Sequence, residues 1–142
     1  MKIEKFDKKI LEDIENIEKE SFNEPWLKEV YMKLIEKDNV FVYGAKADNR
    51  LVGFILIMDM IDVLEVIRIA IKKEYRRQGM GEDILREFIS DSDKDIFLEV
   101  RTSNEKAIKL YKKIGFELLN IRKNYYKDTN ESALIFRFQK GG

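Results

Sequence analysis

A chain of 142 residues with 44% hydrophobic and 11% aromatic content is sized for a single domain around one core. Its 27 basic and 27 acidic residues cancel, which removes the electrostatic case for nucleic acid or an anionic membrane as partner. With neither cysteine nor histidine, it lacks disulfides, thiolate nucleophiles and imidazole bases, and no metal site is expected.

Acid–base chemistry is therefore left to carboxylates, tyrosines, lysines, backbone and water. Met1-Lys2-Ile3-Glu4-Lys5 lacks the apolar core of a signal sequence, and no apolar run is long enough to span a bilayer. A cytoplasmic, soluble protein is the expectation.

A short strand is predicted at Lys2 to Lys5. Ile10, Ile14, Ile17 and Ser21 recur at helical spacing, as do Leu27, Val30, Tyr31 and Leu34. Two amphipathic helices follow from this, parted by Asn23-Glu24-Pro25, with Pro25 near the start of the second. Val40 to Ala47 reads as a strand and Asp48-Asn49-Arg50 as a hairpin turn. Leu51 to Met58 is almost wholly apolar, as in a strand buried on both faces. Val63 to Ile71 is a further strand, interrupted by the charges of Glu65 and Arg68.

A helix with an Ile84, Leu85, Phe88 and Ile89 stripe is predicted from Glu82 to Ile89. Asp95 to Arg101 is a strand whose pleat puts Phe97, Glu99 and Arg101 on one face. Asn104 begins a helix carrying Ala107, Leu110, Tyr111 and Ile114, and Gly115 ends it. Phe116 to Lys123 and Ala133 to Phe138 are the last strands, and Gln139 to Gly142 a frayed tail. The order β-αα-β-β-β-α-β-α-β-β predicts an α/β fold: a mixed sheet with helices on both faces. Its centre, Val63 to Val100, should be a right-handed parallel β-α-β crossover.

The segment Arg76-Arg77-Gln78-Gly79-Met80-Gly81 lies between that strand and that helix. Two glycines two apart let the backbone turn tightly and offer its N–H groups to a ligand. The dipole of the following helix favours an anion there, and two arginines add forked donors, so a pyrophosphate is a natural guest. No Lys-Ser/Thr follows the second glycine, so this is not the magnesium-nucleotide loop, and the lack of a third spaced glycine argues against the dinucleotide fingerprint.

A second informative stretch is Leu98 to Asn104 with Tyr111. Glu99 lies near the carboxyl end of its strand, where open α/β sheets place ligands. Tyr111, seven residues after Asn104, should point to Asn104's side of the helix. A carboxylate and a phenol would then converge on one crevice. Taken singly, Glu99 reads as a paired surface residue, Tyr111 as core and Asn104 as a helix cap.

Arg76 to Gly81, Leu98 to Asn104, Leu110-Tyr111 and Gly115-Phe116 together resemble the GNAT N-acetyltransferases across nearly the whole chain. The Leu-Glu-Val-Arg-x-Ser-Asn form, Pro25-Trp26, and Arg122-x-Asn124-Tyr125-Tyr126 are similar to the RimI-type branch. Those are bacterial enzymes that acetylate the N-terminal alanine of a small-subunit ribosomal protein. The resemblance implies one GNAT domain over residues 1–142, with a mostly antiparallel sheet and acetyl-CoA as cosubstrate.

It also implies roles. Backbone amides of Arg76, Arg77, Gln78, Gly79, Met80 and Gly81 would hold the pyrophosphate. Ile69, Ala70 and Ile71 would pair with the pantetheine arm like an added strand, and Asn104 would touch the cofactor. Glu99 would be the general base through water, and Tyr111 the acid that protonates the departing thiolate. Burial should raise the Glu99 pKa.

Trp26, Tyr125 and Tyr126 would wall the peptide groove, although Trp26 and one of the two tyrosines are equally candidates for the core. Other GNAT branches place their base on the preceding strand, so Glu65 is a second candidate. Arg68 stands where RimI-type chains more often carry a small polar residue; its charge would pair with Glu65 or Glu99, or change the peptide preference. The acceptor is thus a peptide N-terminus, with a small-molecule amine or a non-catalytic acetyl-CoA-binding module as the alternatives.

Overall fold

The computed structural model describes residues 1–141. A six-stranded sheet in the order β1-β2-β3-β4-β6-β5 carries helices on both faces. Its strands are β1 (Val40–Ala47), β2 (Arg50–Asp59), β3 (Val63–Ile71), β4 (Asp95–Arg101), β5 (Glu117–Tyr126) and β6 (Glu131–Phe138). Every neighbouring pair is antiparallel except β3 with β4, the predicted crossover.

The helices are α1 (Lys8–Ser21), α2 (Lys28–Leu34), α3 (Met80–Asp91) and α4 (Glu105–Ile114), with a 3₁₀ turn at Lys73–Tyr75. On one face α3 and α4 cover Ile55, Ile57, Leu98 and Phe136; on the other α1 and α2 cover Val42, Phe54 and Leu56. Leu51 to Ile57 is buried throughout, the two-sided burial expected of its unbroken apolar run. Each of its Val, Leu, Ile and Phe side chains contributes about 1.5–3 kcal/mol on leaving water.

The predicted strand at Lys2 to Lys5 is reduced to one bridge, Lys2 to Tyr43. Only Ile3 of that segment is buried, so nothing draws the ladder further before Asp7 caps α1 by accepting from the Ile10 N–H at 2.9 Å. Pro25 does not open α2, which begins at Lys28 with no capping side chain of its own. Carboxylates of α1 take that part: Glu18 accepts from the Trp26 N–H at 2.8 Å and Glu15 from the Lys28 N–H at 2.6 Å.

The tail is not frayed at Lys140, whose N–H meets the Asp95 carboxylate at 2.9 Å and whose ammonium meets the Ile89 carbonyl at 2.8 Å. Gly142, the last residue of the predicted tail, lies outside the described residues.

One irregularity shapes the functional end of the molecule. Leu56 pairs with Arg68 but Ile57 pairs with Val66, leaving Ile67 as an extra residue on β3. A bulge of this kind bends its strand and increases the local twist. Pairing between β3 and β4 stops at Val66 and Leu98, and the two strands splay beyond it.

Candidate active site

The splayed ends of β3 and β4 form the sides of a cavity of about 620 Å³. Val66 to Ile69 line one side and Leu98 to Arg101 the other. The α1–α2 connection contributes Phe22, Asn23, Glu24 and Trp26 to one rim, and the β5–β6 turn contributes Asp128 and Thr129 to another. Asn23, Glu24, Asp128 and Thr129 are exposed, so both rims open to solvent.

Glu99 and Tyr111 both line this cavity, as does Asn104. Burial raises the Glu99 carboxyl above its ordinary range; the Arg122 charge, 3.6 Å away, opposes this, and Glu65 adds to it. Tyr111 is only 5% exposed, and burial pushes its phenol up to about 12. A group so shifted holds its proton throughout the neutral range. Asn104 is also the N-cap of α4, accepting from the Ala107 N–H at 3.3 Å. Glu65 is close enough to perturb Glu99 yet is absent from the cavity wall.

The glycine loop lies beyond the cavity, and of the expected cofactor strand only Ile69 lines it, Ala70 being buried in the α1 face. Ile69, Ala70 and Ile71 pair with β2 on one side only, which leaves their other edge open to an extended ligand. Gly79 holds φ at 77° and is the N-cap of α3, without a capping side chain. A Cβ added there would meet nothing within 4 Å, so the space beside the start of α3 is open.

Arg77 also has positive φ, 65°, a strained value for a residue with a side chain. Arg76 is only partly available to a phosphate: its Nε donates to the Ile71 carbonyl at 2.8 Å, and one Nη to the Ser21 hydroxyl at 3.1 Å and the Glu20 carbonyl at 3.3 Å. Gln78 donates to the Glu74 carbonyl at 3.2 Å. Side chains thus tie the loop to β3, α1 and the 3₁₀ turn.

Trp26 and Tyr126 line the cavity, but Tyr125 does not. The expected alternation of core and groove fails at this pair. Asn124 adopts φ of 54°, β5 loses register between Arg122 and Tyr126, and Tyr125 stays 44% exposed with its ring edge-on to Tyr126. Arg101 lies 3.9 Å over the Tyr126 ring and pairs with Asp128 and Glu131, so it fastens the β5–β6 turn.

Arg68 pairs with neither Glu65 nor Glu99. Its partner is Glu18 of α1, at 2.9 Å through two nitrogens. Glu18 follows Ile10, Ile14 and Ile17 on the buried stripe of α1, and a carboxylate on such a stripe is the sequence signal for a buried cation.

The sequence profile of the Acetyltransferase (GNAT) family matches residues 11–116. The chain is a GNAT-family acetyltransferase. This acetyltransferase is 41% identical over 133 residues to the putative ribosomal protein bS18-alanine N-acetyltransferase of Bacillus subtilis (strain 168), covering 88% of each chain. Its fold superposes on the crystal structure of the ribosomal-protein-S18-alanine N-acetyltransferase from Escherichia coli with a TM-score of 0.87 at 26% identity, covering 100% of this chain and 96% of that one. A streptothricin acetyltransferase of Bacillus anthracis, described as putative and solved with acetyl coenzyme A, gives a TM-score of 0.67 at 25% identity, over 77% of this chain and 67% of that one.

Among the described residues no group of acidic side chains gathers as a metal site, and no helix is long and apolar enough to cross a membrane.

Proposed function

We propose that this acetyltransferase transfers the acetyl group of acetyl-CoA to the α-amine of a protein N-terminus, with the alanine terminus of ribosomal protein bS18 as the acceptor. It would act in the cytoplasm, where ribosomal proteins are made. The observation that carries this reading is the cavity itself, in which Glu99 and Tyr111 share a volume open at two exposed rims. An open-ended groove takes the end of a chain, whereas a small amine is better held by a closed pocket.

The residues fit acetyl-CoA as substrate. The uncapped start of α3 behind Gly79 offers amides to a pyrophosphate, and the free edge of Ile69 to Ile71 offers strand-like pairing to the pantetheine arm. The bound thioester supplies an activated acetyl carbonyl.

Glu99 is the general base. An α-ammonium has an ordinary pKa of about 7.7–8.0, within reach of a raised carboxylate acting through water. The freed amine attacks the thioester carbon, a C–N bond forms, the nitrogen gives its second proton to water, and the C–S bond breaks. Tyr111, held protonated by burial, gives its hydroxyl proton to the departing thiolate and is reprotonated from solvent. No covalent acyl-enzyme is needed, so transfer is direct within a ternary complex.

Thiol release would be followed with three acceptors: a peptide with free N-terminal alanine, the same peptide blocked, and spermidine. Turnover only with the free peptide is expected. Turnover with spermidine alone would make this a small-molecule acetyltransferase, and silence with all three despite cofactor binding would make it a binding module.

A further inference from the structure

The Glu18 carboxylate is fully buried, and four donors converge on it. They are the Trp26 N–H at 2.8 Å, the Tyr31 hydroxyl at 2.5 Å and two nitrogens of Arg68 at 2.9 Å each. The Arg68 guanidinium is held between two aromatic faces, 4.0 Å from the Phe22 ring centre and 3.9 Å from that of Trp26. It also donates to the Glu24 carbonyl at 3.3 Å. One ion pair therefore reaches Phe22, Glu24 and Trp26, all in the short connection between α1 and α2, together with Tyr31 of α2. Phe22, Glu24, Trp26 and Arg68 all face the cavity.

We propose that the Glu18–Arg68 pair is a positioning device that sets the acceptor wall of the cleft, and that Arg68 governs acceptor binding without taking part in the chemistry. The proposal rests on the acceptor reading given above. Short connections cost entropy to order, and a buried carboxylate whose acceptor sites are filled from four directions specifies one geometry. A buried ion pair adds little net stability against an apolar replacement, so conformational definition is the better account of its presence here. The guanidinium is suited to this in a way an ammonium is not: it forks onto Glu18 while both its faces stay available to the rings. Because the pair is internally neutral, it presents no net positive charge to an incoming ammonium.

The test uses Arg68→Lys, which keeps the charge opposite Glu18 but loses the fork and the stacking. Steady-state KM is measured separately for the alanine peptide and for acetyl-CoA, with kcat. Trp26 is the sole tryptophan, so acrylamide quenching of its emission reads the wall directly. We expect the peptide KM to rise about ten- to a hundredfold, as for loss of a charge-assisted contact, with kcat and the acetyl-CoA KM nearly unchanged. Quenching should rise as well.

Phe22→Leu leaves the ion pair intact and should shift the peptide KM in the same direction by less, which keeps the question answerable if the Lys variant folds poorly. An unmoved peptide KM, or equal rises in both KM values, would overturn the proposal. If no peptide is turned over even by the unaltered protein, the acceptor reading fails separately. The quenching comparison still decides the positioning role then, since it needs no acceptor and unchanged quenching would sink it.

Discussion

Glu99 on β4 and Tyr111 on α4 come from consecutive elements and line the same cavity, one with a raised carboxyl and the other with a phenol pushed up to about 12. A carboxyl and a phenol, the pair proposed as base and acid, thereby line one cavity in a chain without histidine or cysteine.

Replacing Glu99 with Gln should lower kcat on the order of 10²–10⁴-fold while acetyl-CoA affinity holds. Glu65→Gln should retain most of the rate, which separates the two carboxylates. An unchanged rate in Glu99→Gln would remove it as the base.

The acid limb of kcat/KM should sit above the ordinary carboxylate range, because the active form of Glu99 is the deprotonated one and burial raises its pKa. Arg122→Gln removes a charge that favours the carboxylate, so the limb should move to higher pH. Glu65→Gln removes a like charge and should move it lower. Shifts of the same sign in both variants would show that Glu99 does not set the limb.

Tyr111→Phe should reduce kcat by about 10²–10⁴-fold with small changes in either KM, since the hydroxyl is asked only to protonate the leaving thiolate. A rate indifferent to this change would leave Tyr111 as a core residue packed on Phe116 and Phe136.

Gly79→Ala meets no neighbour, so its cost is backbone strain alone at φ of 77°. That strain is roughly 1 kcal/mol, or about 4 °C in Tm. The acetyl-CoA KM should rise more than the peptide KM, because the displaced amides belong to the cofactor loop. Calorimetry and the two KM values check this together.

Asp13 is a stability prediction away from the cleft. Burial would raise its pKa, but hydrogen bonds from Arg50 and the Leu51 N–H outweigh this and hold the carboxyl below the usual range. Its contribution is then fully present above the unfolded value of about 3.9 and is lost as pH falls through the lower folded value. Asp13→Ala should cost about 1.5–3 kcal/mol in denaturant melts at pH 7, and the gap to the unaltered protein should close in strong acid.

Much of the architecture was legible because local chemistry and tertiary structure agree. β1, β3 and β4 begin and end where alternation and turn residues put them, and Asn104 and Gly115 bound α4 as a cap and a φ of 123° require. The hairpin at Asp48 and Asn49 uses positive φ at both positions, a demand Asn and Asp meet readily. Glycine spacing located the loop before α3, but the bonds of Arg76 to α1, whose acceptors lie 55 and 56 residues away, were not readable there.

Arg68 shows where sequence reading ends. Strict alternation puts it on the face of Val66, yet Val66 packs under α3 while Arg68 meets Glu18 on α1, because the extra residue Ile67 resets the pleat. The same bulge accompanies the parting of β3 from β4 that opens the cleft.

By itself the sequence determined most of the elements, the crossover, the place of the glycine loop and the pairing of Glu99 with Tyr111 in one crevice, since each is written in spacing within a few turns of chain. The tertiary structure alone decided the partner of Arg68, the separation of Tyr125 from Tyr126 and the shape of the acceptor wall. Those depend on strand register and on contacts between segments up to 50 residues apart, as from Glu18 to Arg68, where one inserted residue reverses which face a side chain takes.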